Sequence, residues 1–406
     1  MTPGYKMTEL GEIPEEWIVG KLGDYSTISM GQSPSSTSYN QTGEGMYLVQ
    51  GNADIKFRKT NPRNWTTEIT KQCKIGDIIM TVRAPVGAVA ISKHNACIGR
   101  GVCAITTEDL DKRFLYQYLL FLETKWTALE QGSTFTAVNG RDIRSVAIPL
   151  PLFSEQQKIA ETLSTVDEKI EVIEAKIVQT HELKKGLMQQ LLTRGIGHTK
   201  FKTSELGEIP ESWEVIKLGD HTSSFAGGTP LRSNAKYYLN GTIPWVKSGE
   251  VNQRNIICTE EKITELAIKK SSAKLIKPNS LLVALYGATA GNVGMLRIPA
   301  SSNQAVLAIN SNESRVTILY LYHYLKFTTH KLLSLTQGSG QPNLSKGLID
   351  NLKVPIPTLD EQSKIANVLT GIDEKLEILQ AKKENFTTLK RGLMQQLLTG
   401  KLRVTC

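Results

Sequence analysis

Apolar residues recur at alternating intervals of four and three along two long segments, residues 154–193 and 360–399. This spacing has a period of 3.5 residues, which is typical of the buried seam of a coiled coil. Neither segment contains proline, and 40 residues at 1.5 Å each form a helix of about 60 Å. The seam positions are Ile159, Leu163, Val166, Ile170, Ile173 and Ile177 in the first segment and Ile365, Leu369, Ile372, Leu376 and Leu379 in the second.

The two segments are copies of each other. Aligned without a gap at an offset of 206, they agree at 22 of 40 positions. We therefore predict two long helices that pack on each other, and the alternative is two separate helices on two separate cores. Ser154 and Asp360 follow a proline-rich stretch in each copy and are predicted N-caps, because their side-chain oxygens can accept the unpaired N–H groups of a first turn.

A second repeat indicates that the whole chain is duplicated. Residues 8–24 read TELGEIPEEWIVGKLGD and return at 204–220 as SELGEIPESWEVIKLGD, with 13 of 17 positions identical. Two copies predict a pseudo-dimer within one chain rather than a solenoid. Trp17 and Trp213 of this opening motif are predicted buried aromatic anchors, in preference to base-stacking residues. The predicted division is a domain at 1–153, a helix at 154–195, a domain at 196–359 and a helix at 360–406.

Each half has a globular stretch between its opening motif and its long helix. Short β-branched runs separated by turn residues predict strands, and one helix is predicted late in each stretch. The predicted strands are 46–50, 77–83 and 86–91 in the first stretch and 243–247, 280–286 and 303–309 in the second, and the helices are 113–130 and 316–335. This mixture indicates an α+β fold with a strongly bent sheet. The stretches have diverged far more than the helices, which suggests one scaffold with two recognition surfaces.

Composition favours a cytoplasmic protein with a polyanionic partner. The 406 residues contain no apolar run long enough for a membrane helix, and the N-terminus lacks the layout of a signal peptide. Five cysteines without a C-x-x-C pair suit a reducing compartment. The net charge of +9 divides into about +2 for residues 1–203 and +7 for 204–406, so the second half is expected to depend more on phosphate contacts.

Known catalytic signatures are missing from the sequence. It has neither a methyltransferase motif nor a G-x-x-x-x-G-K-[ST] phosphate loop. Residues 167–169 and 373–375 both read Asp-Glu-Lys, but we expect them on the solvated flank of the heptads rather than in a nuclease site. His94, Cys97 and Cys103 fit no standard zinc spacing and have no fourth ligand. We therefore predict a non-catalytic chain without a metal or cofactor of its own.

Basic and amide residues in the globular stretches are candidates for DNA contact. Arg, Lys, Asn and Gln side chains read base edges, and Lys and Arg also bind phosphates. For any single residue, a solvated loop position is the alternative. The candidates in the first half are Lys56, Arg58, Lys59, Arg63, Arg83 and Arg100, and those in the second half are Arg232, Lys236, Tyr237, Lys247, Gln341, Asn343 and Lys346.

Together these features resemble the specificity subunit of type I restriction–modification systems. The resemblance rests on the doubled GEIPE-x-W motif, the EQ that opens each helix, the heptads and the repeated GLMQQLLT ending. It implies two α/β target-recognition domains joined by an antiparallel coiled coil of two helices, with an internal pseudo-two-fold repeat. Each domain would read half of a split target in double-stranded DNA. The expected partners are two methyltransferase subunits and motor–endonuclease subunits, which would carry S-adenosylmethionine, ATP and Mg, and no membrane is expected.

The conserved helices are the expected docking surface for the methyltransferases. Because the helices stayed alike while the domains diverged, residues flanking the seam are the preferred partner contacts. These are Glu155, Gln156, Gln189 and Gln190 in the first copy and Glu361, Gln362, Gln395 and Gln396 in the second. The leading alternative function is a coiled-coil assembly scaffold whose globular ends bind proteins and whose charge is incidental.

Overall fold

The computed structural model describes residues 3–132, 138–335 and 343–404. Among the predicted DNA contacts, Gln341 lies outside these residues. The chain divides into two compact units: unit 1 comprises Met1–Ala175 and Ala381–Cys406, and unit 2 comprises Lys176–Gln380. Both units combine a twisted β structure with helices, as the α+β prediction required.

Unit 1 is built on a six-stranded and a five-stranded sheet. Its helices are α1 (Leu22–Tyr25), α2 (Lys112–Gly132), α3 (Gly140–Arg144) and the first part of α4 (Phe153–Leu191). Its strands are β1 (Tyr5–Thr8), β2 (Gly11–Pro14), β3 (Ile18–Lys21), β4 (Thr27–Met30), β5 (Tyr39–Asn40), β6 (Met46–Val49), β7 (Ile55–Lys56), β8 (Lys59–Thr60), β9 (Asn64–Thr66), β10 (Gln72–Cys73), β11 (Ile78–Thr81), β12 (Val89–Ile91), β13 (Ala96–Ile98), β14 (Val102–Thr106) and β15 (Ala147–Leu150).

The core of unit 1 lies between the larger sheet and the helices. That sheet has the order β4-β14-β11-β12-β8-β7, and the smaller sheet has the order β10-β13-β6-β9-β5. Strand β11 is buried along its whole length, which agrees with its continuous apolar sequence IIMT. Its residues Ile78 and Met80 belong to the same buried cluster as Phe114 of α2 and Leu163 of α4. Trp17 is also in this cluster and is 1% exposed, which confirms its predicted anchor role.

Unit 2 repeats this plan with a five-stranded and a three-stranded sheet. Its helices are α5 (Leu218–His221), α6 (Glu265–Lys270), α7 (Ile318–Leu335), α8 (Lys346–Asp350) and part of α9 (Leu359–Leu397). Its strands are β16 (Phe201–Ser204), β17 (Gly207–Pro210), β18 (Glu214–Lys217), β19 (Thr222–Ala226), β20 (Ile243–Val246), β21 (Asn255–Ile256), β22 (Glu261–Ile263), β23 (Leu281–Ala284), β24 (Val293–Leu296), β25 (Ser301–Ser302), β26 (Val306–Ser311) and β27 (Lys353–Ile356).

Strand order confirms that the globular stretches are copies. The order β19-β26-β23-β24 in unit 2 corresponds to β4-β14-β11-β12 in unit 1, and β22-β20-β25 corresponds to β9-β6-β13. In both small sheets the second pairing is parallel, β6 with β13 and β20 with β25. Trp213 is 1% exposed, so the second anchor is confirmed as well. Each predicted strand and late helix overlaps an observed one, with ends displaced by a few residues.

The long helices begin one residue earlier than predicted. Phe153 and Leu359 are already helical, so Ser154 and Asp360 lie inside the first turn and the N-cap prediction is wrong. In the second copy, Thr358 provides the cap instead, because its Oγ1 accepts the N–H of Glu361 at 3.3 Å. The carbonyl oxygen of Leu152 accepts the first intrahelical hydrogen bond in the first copy.

The predicted heptad seam is confirmed within each unit. Every predicted seam position is buried or half-buried. In unit 1, Asp167 pairs with Lys390 at 2.6 Å and Glu174 pairs with Lys383 at 2.8 Å, so α4 and α9 run antiparallel there. In unit 2, the seam of α4 continues to Leu191, which shares a buried cluster with residues of α9.

Two matched ion pairs interrupt the apolar seam. Lys184 pairs with Asp373 in unit 2, and the offset of 206 relates these residues to Lys390 and Asp167, which pair in unit 1. The unit 2 pair is the more buried, with side chains 11% and 9% exposed against 15% and 37%. The expectation that residues 373–375 lie on a solvated flank is therefore wrong for Asp373, because the charged pair itself occupies the interface between the helices.

Candidate nucleic-acid interface

Four loops of unit 1 meet where strands of its two sheets end. Backbone hydrogen bonds join them: Gly31 N–H to Val102 O at 3.0 Å, Gly99 N–H to Val49 O at 2.8 Å and Val82 N–H to Gly101 O at 2.9 Å. We define the first loop platform as residues 31–33, 50–52, 82–88 and 99–101. The loops pack tightly, since a Cβ on Gly101 would lie 2.1 Å from the carbonyl oxygen of Gln50.

Unit 2 builds the same platform with the same hydrogen bonds. Gly227 N–H donates to Val306 O at 3.0 Å, Asn303 N–H to Val246 O at 3.0 Å and Leu285 N–H to Ala305 O at 2.8 Å. We define the second loop platform as residues 227–229, 247–249, 285–291 and 303–305. Because each bond has a counterpart in the first platform, the two can be compared position by position.

The two platforms share a frame but carry different side chains. A hydroxyl is retained at one position, as Ser33 in the first platform and Thr229 in the second. Three positions with long polar or aromatic side chains change chemistry: Gln50 corresponds to Lys247, Arg83 to Tyr286 and Arg100 to Gln304. Equal backbones with different donor and acceptor groups are what two surfaces reading different sequences require.

Val138 and Leu344, which follow the late helices α2 and α7 in the chain, hydrogen-bond to the platforms. Val138 N–H donates to Val82 O at 3.0 Å, and Leu344 N–H donates to Leu285 O at 2.7 Å. Val138 therefore lies beside Arg83, and Leu344 lies beside Tyr286. Asn343, a predicted DNA contact, is exposed immediately before Leu344.

Only some predicted DNA contacts of unit 1 lie on its platform. Arg83 and Arg100 do, and both are exposed. Arg63 borders it, and its Nε donates to the buried Asp54 at 3.2 Å. The exposed Lys56 lies outside the platform, with its amine 5.3 Å from the centre of the Phe57 ring.

Arg58 and Lys59 are used within the protein. They belong to the β7–β8 hairpin, whose turn residues Phe57 and Arg58 have φ of 49° and 58°. Arg58 donates to Glu123 at 2.7 Å, and this hydrogen bond raises the pKa of its guanidinium. Lys59 pairs with Glu171 of α4. Both cations therefore pair with carboxylates of helices in their own unit, although the side chain of Arg58 is 51% exposed.

The predicted contacts of unit 2 have a similar division. Lys247 is on the platform, but its amine bonds Glu260 at 2.8 Å and Glu261 at 3.2 Å, and these hydrogen bonds raise its pKa. Arg232 donates to Glu261 at 2.6 Å and stacks on Trp245 at 4.9 Å.

The remaining contacts predicted for unit 2 are off the platform. Tyr237 packs against the small cluster around Trp245, and Lys236 is exposed beside it. Lys346 pairs with Asp350 on α8.

Arg254 is an interior cation that the sequence analysis did not identify. Its side chain is 11% exposed and reaches α9, where it bonds Glu377 at 3.1 Å and the carbonyl oxygen of Thr370 at 3.4 Å. An offset of 196, that of the opening motifs, relates it to Arg58 of unit 1. Both arginines therefore anchor a globular stretch to helices of their own unit, and the repeat offset was the available signal.

Four of the predicted partner contacts form hydrogen bonds within the protein. Glu155 and Gln156 are 2% and 4% exposed, and Gln362 is 0% exposed, so their predicted surface placement is wrong. The fourth, Glu361, is half-buried and accepts the indole N–H of Trp213 at 3.1 Å. In unit 1, Glu155 likewise accepts the indole N–H of Trp17 at 3.0 Å.

Gln156 and Gln362 hydrogen-bond to the backbone just before the late helices α2 and α7. Gln156 Oε1 accepts the N–H of Asp111 at 3.0 Å, and Gln362 Oε1 accepts the N–H of Thr317 at 2.9 Å. Their amides donate to the carbonyl oxygens of Pro151 and Pro357, both at 3.0 Å. The conservation of EQ between the copies is explained by these intramolecular bonds. The other four glutamines, Gln189, Gln190, Gln395 and Gln396, are exposed and stay predicted contacts.

Exposed apolar residues mark the long helices at matched positions. Val172 and Ile378 are 50% and 56% exposed, and Leu183 and Leu389 are 50% and 49% exposed. Each pair is related by the offset of 206. Within the described ranges, no helix is long and apolar enough to cross a membrane. Among those same residues, no group of His, Cys, Asp and Glu side chains is arranged to hold a metal ion.

Comparisons with known proteins agree with the duplicated architecture. The family model for the type I restriction modification DNA specificity domain matches twice, at residues 14–181 and 210–387. The MjaIX type I restriction enzyme specificity subunit of Methanocaldococcus jannaschii is 28% identical over 424 residues, covering 98% of this chain and 96% of that protein. The EcoBI specificity subunit of Escherichia coli is 21% identical over 423 residues, covering 96% of this chain and 86% of that protein. The crystal structure of the Mycoplasma genitalium S subunit has the same fold, with a TM-score of 0.65 at 18% identity over the full length of both chains.

Proposed function

This chain belongs to the type I restriction–modification DNA specificity family, and on that premise we propose that it is the non-catalytic, sequence-reading subunit of such a complex. Each unit contributes one recognition domain, and each domain reads one half of a bipartite target in double-stranded DNA. The observation that carries this proposal is the pair of loop platforms, which share three backbone hydrogen bonds and carry different side chains at matched positions.

The platform chemistry suits direct readout in the major groove. Arginine and lysine bind guanine, glutamine binds adenine, and small hydroxyls bind either. Gln50, Arg83 and Arg100 supply this chemistry in unit 1, and Lys247, Tyr286 and Gln304 supply a different set in unit 2. Different sets predict different half-sites. Exposed lysines elsewhere in the globular stretches, such as Lys56 and Lys236, would add contacts to the phosphates, which position the protein without reading sequence.

The long helices set the gap between the half-sites and dock two methyltransferase subunits. Each helix has 39 residues, which corresponds to about 58 Å at 1.5 Å per residue. The matched exposed pairs Val172 with Ile378 and Leu183 with Leu389 give two like partners equivalent apolar contacts. S-adenosylmethionine, ATP and Mg would be bound by the methyltransferase and motor–endonuclease subunits.

A domain exchange within the chain tests independent reading. Residues 25–147 are replaced by residues 221–353, and the methylated motif is determined by single-molecule sequencing in cells that also express the methyltransferase. We expect the first half-site to be replaced by a second copy of the second half-site. A change in both half-sites would contradict reading by independent domains.

The salt dependence of DNA binding distinguishes the proposed function from that of a coiled-coil assembly scaffold. A DNA-reading complex loses duplex affinity steeply as salt increases, because phosphate contacts release counterions. Duplex binding by the chain with its methyltransferase is measured between 50 and 200 mM salt. Absence of duplex binding at the lowest salt would favour an assembly scaffold.

A further inference from the structure

Arg100 and Gln304 occupy the same position on the two platforms. Each lies in the turn that joins a strand of the small sheet to a strand of the large one, β13 to β14 and β25 to β26. The residue before each donates its N–H to the end of a neighbouring strand, Gly99 to Val49 and Asn303 to Val246. Both side chains are exposed. The frame therefore presents one side chain to the same place in each unit.

The matched hydroxyl supports each of these residues. Arg100 N–H donates to Ser33 Oγ at 3.1 Å, which holds the backbone beneath the guanidinium. Thr229 Oγ1 donates to the Oε1 of Gln304, which fixes the orientation of the amide. The Nε2 donors and the second lone pair of that Oε1 stay available for another partner.

The guanidinium of Arg100 differs from those of Arg58 and Arg63, two other predicted basic contacts of unit 1. Arg58 and Arg63 are paired with Glu123 and Asp54. Within the described part of the chain, no carboxylate lies within ion-pair distance of Arg100. On the second platform, Lys247 is held by Glu260 and Glu261, so a base contact by its amine would first have to break those bonds. Arg100 and Gln304 are therefore more readily available for a base contact than Lys247.

We propose, building on the function proposed above, that Arg100 and Gln304 are equivalent base-reading residues with different specificities. Arg100 reads a guanine in the half-site of unit 1, since the arginine fork matches the O6 and N7 acceptors of guanine. Gln304 reads an adenine in the half-site of unit 2, since an amide can accept from N6 and donate to N7. The two half-sites therefore differ at this matched position because the platforms differ there.

Reciprocal substitutions test this assignment. Arg100→Gln and Gln304→Arg are each expressed in the full chain with the methyltransferase, and methylation of every single-base variant of the motif is quantified by single-molecule sequencing. For R100Q we expect the preference for guanine at one position of one half-site to fall about ten- to one-hundred-fold. For Q304R we expect guanine to replace adenine at one position of the other half-site.

A conservative variant and a control keep the test decisive if R100Q methylates poorly. Arg100→Lys keeps the charge but loses the bidentate fork, so methylation should persist with a weaker guanine preference. Lys93→Gln removes an exposed charge at the opposite end of β13 and should leave the motif unchanged. An unchanged motif in R100K and Q304R would overturn the assignment. A wild-type chain without any bipartite motif would instead refute the proposed function.

Discussion

His323 is a buried titratable residue of unit 2, and the matched position of unit 1 holds a residue that cannot titrate. Its ring is 0% exposed, Nε2 lies 2.9 Å from Thr370 Oγ1, and Nδ1 has no partner among the described residues. Burial lowers the pKa of His323 to about 3; the carboxylate of Asp373 acts against this shift, and the nearby cations Lys184 and Lys326 act with it. The offset of 206 places Gln117 at the matched position of unit 1. Glutamine cannot titrate. The substitution His323→Gln therefore removes the titratable group and introduces the residue that the chain already has at the matched position.

The sign and size of the pH effect follow from the two pKa values. An unfolded histidine has a pKa of about 6.5, so below that pH the unfolded chain binds a proton that the folded chain does not. Stability from this group is complete above pH 6.5 and is lost as the pH falls towards 3. With a folded pKa of about 3, linkage gives a loss of about 2 kcal/mol at pH 5 relative to pH 7.5.

The H323Q variant should also gain a buried hydrogen bond to Asp373. Gln117 Nε2 donates to Asp167 Oδ2 at 2.7 Å, whereas the equivalent oxygen of Asp373 has no partner among the described residues. The introduced amide can reach that oxygen in the same way. A hydrogen bond to a charged group contributes about 1.5–3 kcal/mol, which is more than the roughly 1 kcal/mol lost with the bond between His323 and Thr370, so H323Q is expected to be at least as stable as the wild type at neutral pH.

Amide hydrogen exchange measures the pH-dependent loss of stability separately in each unit. Amide protection of α7 in unit 2 and of α2 in unit 1 is measured for wild type and H323Q at pH 7.5 and pH 5. On acidification, the protection of α7 should fall about thirtyfold more in the wild type than in H323Q, while α2 should behave alike in both. If α7 lost protection equally in both proteins, the linkage argument would be refuted.

Three further predictions concern the helices. Lys184→Ala leaves the buried carboxylate of Asp373 without its ion pair and should cost about 3 kcal/mol of unfolding free energy in urea. Lys390→Ala, in the more exposed matched pair, leaves Asp167 with its hydrogen bond from Gln117 and should cost about 1 kcal/mol; equal losses would contradict the burial argument. Ile378→Asp should reduce the number of bound methyltransferase subunits from two to one in native mass spectrometry, and Asn367→Asp, at an exposed polar position, should not. Inserting four residues, about 6 Å at 1.5 Å per residue, into one long helix should change the gap between half-sites by one or two base pairs, and an unchanged gap would exclude the helices as the spacer.

The repeat made the frame of the protein predictable from its sequence. Heptads at matched offsets predicted both long helices, and the opening motif identified Trp17 and Trp213 as buried anchors. Periodicity reports which face of a helix is apolar, but it does not show what covers the polar flanks. Glu155 and Gln362 were therefore misplaced on the surface, because their contacts come from elements that lie distant in the sequence.

The candidate site was only partly predictable. Arg83 and Arg100 stood out as basic residues in glycine-flanked turns, and both lie on the first platform. Thr229, Tyr286 and Gln304 were missed because they are ordinary loop residues until the sheet brings their loops together. That arrangement depends on parallel pairing between β20 and β25, which are separated by more than fifty residues, and no local pattern encodes such a contact.

The most direct test of the central claim is the methylated motif of the wild-type chain. The chain is expressed with its methyltransferase in a host without other type I systems, and the genome is sequenced by a single-molecule method that detects methylated bases. We predict one motif with two different short half-sites separated by a gap of fixed length and unspecified sequence. A single continuous motif, or methylation without sequence preference, would contradict the account of two independent reading platforms.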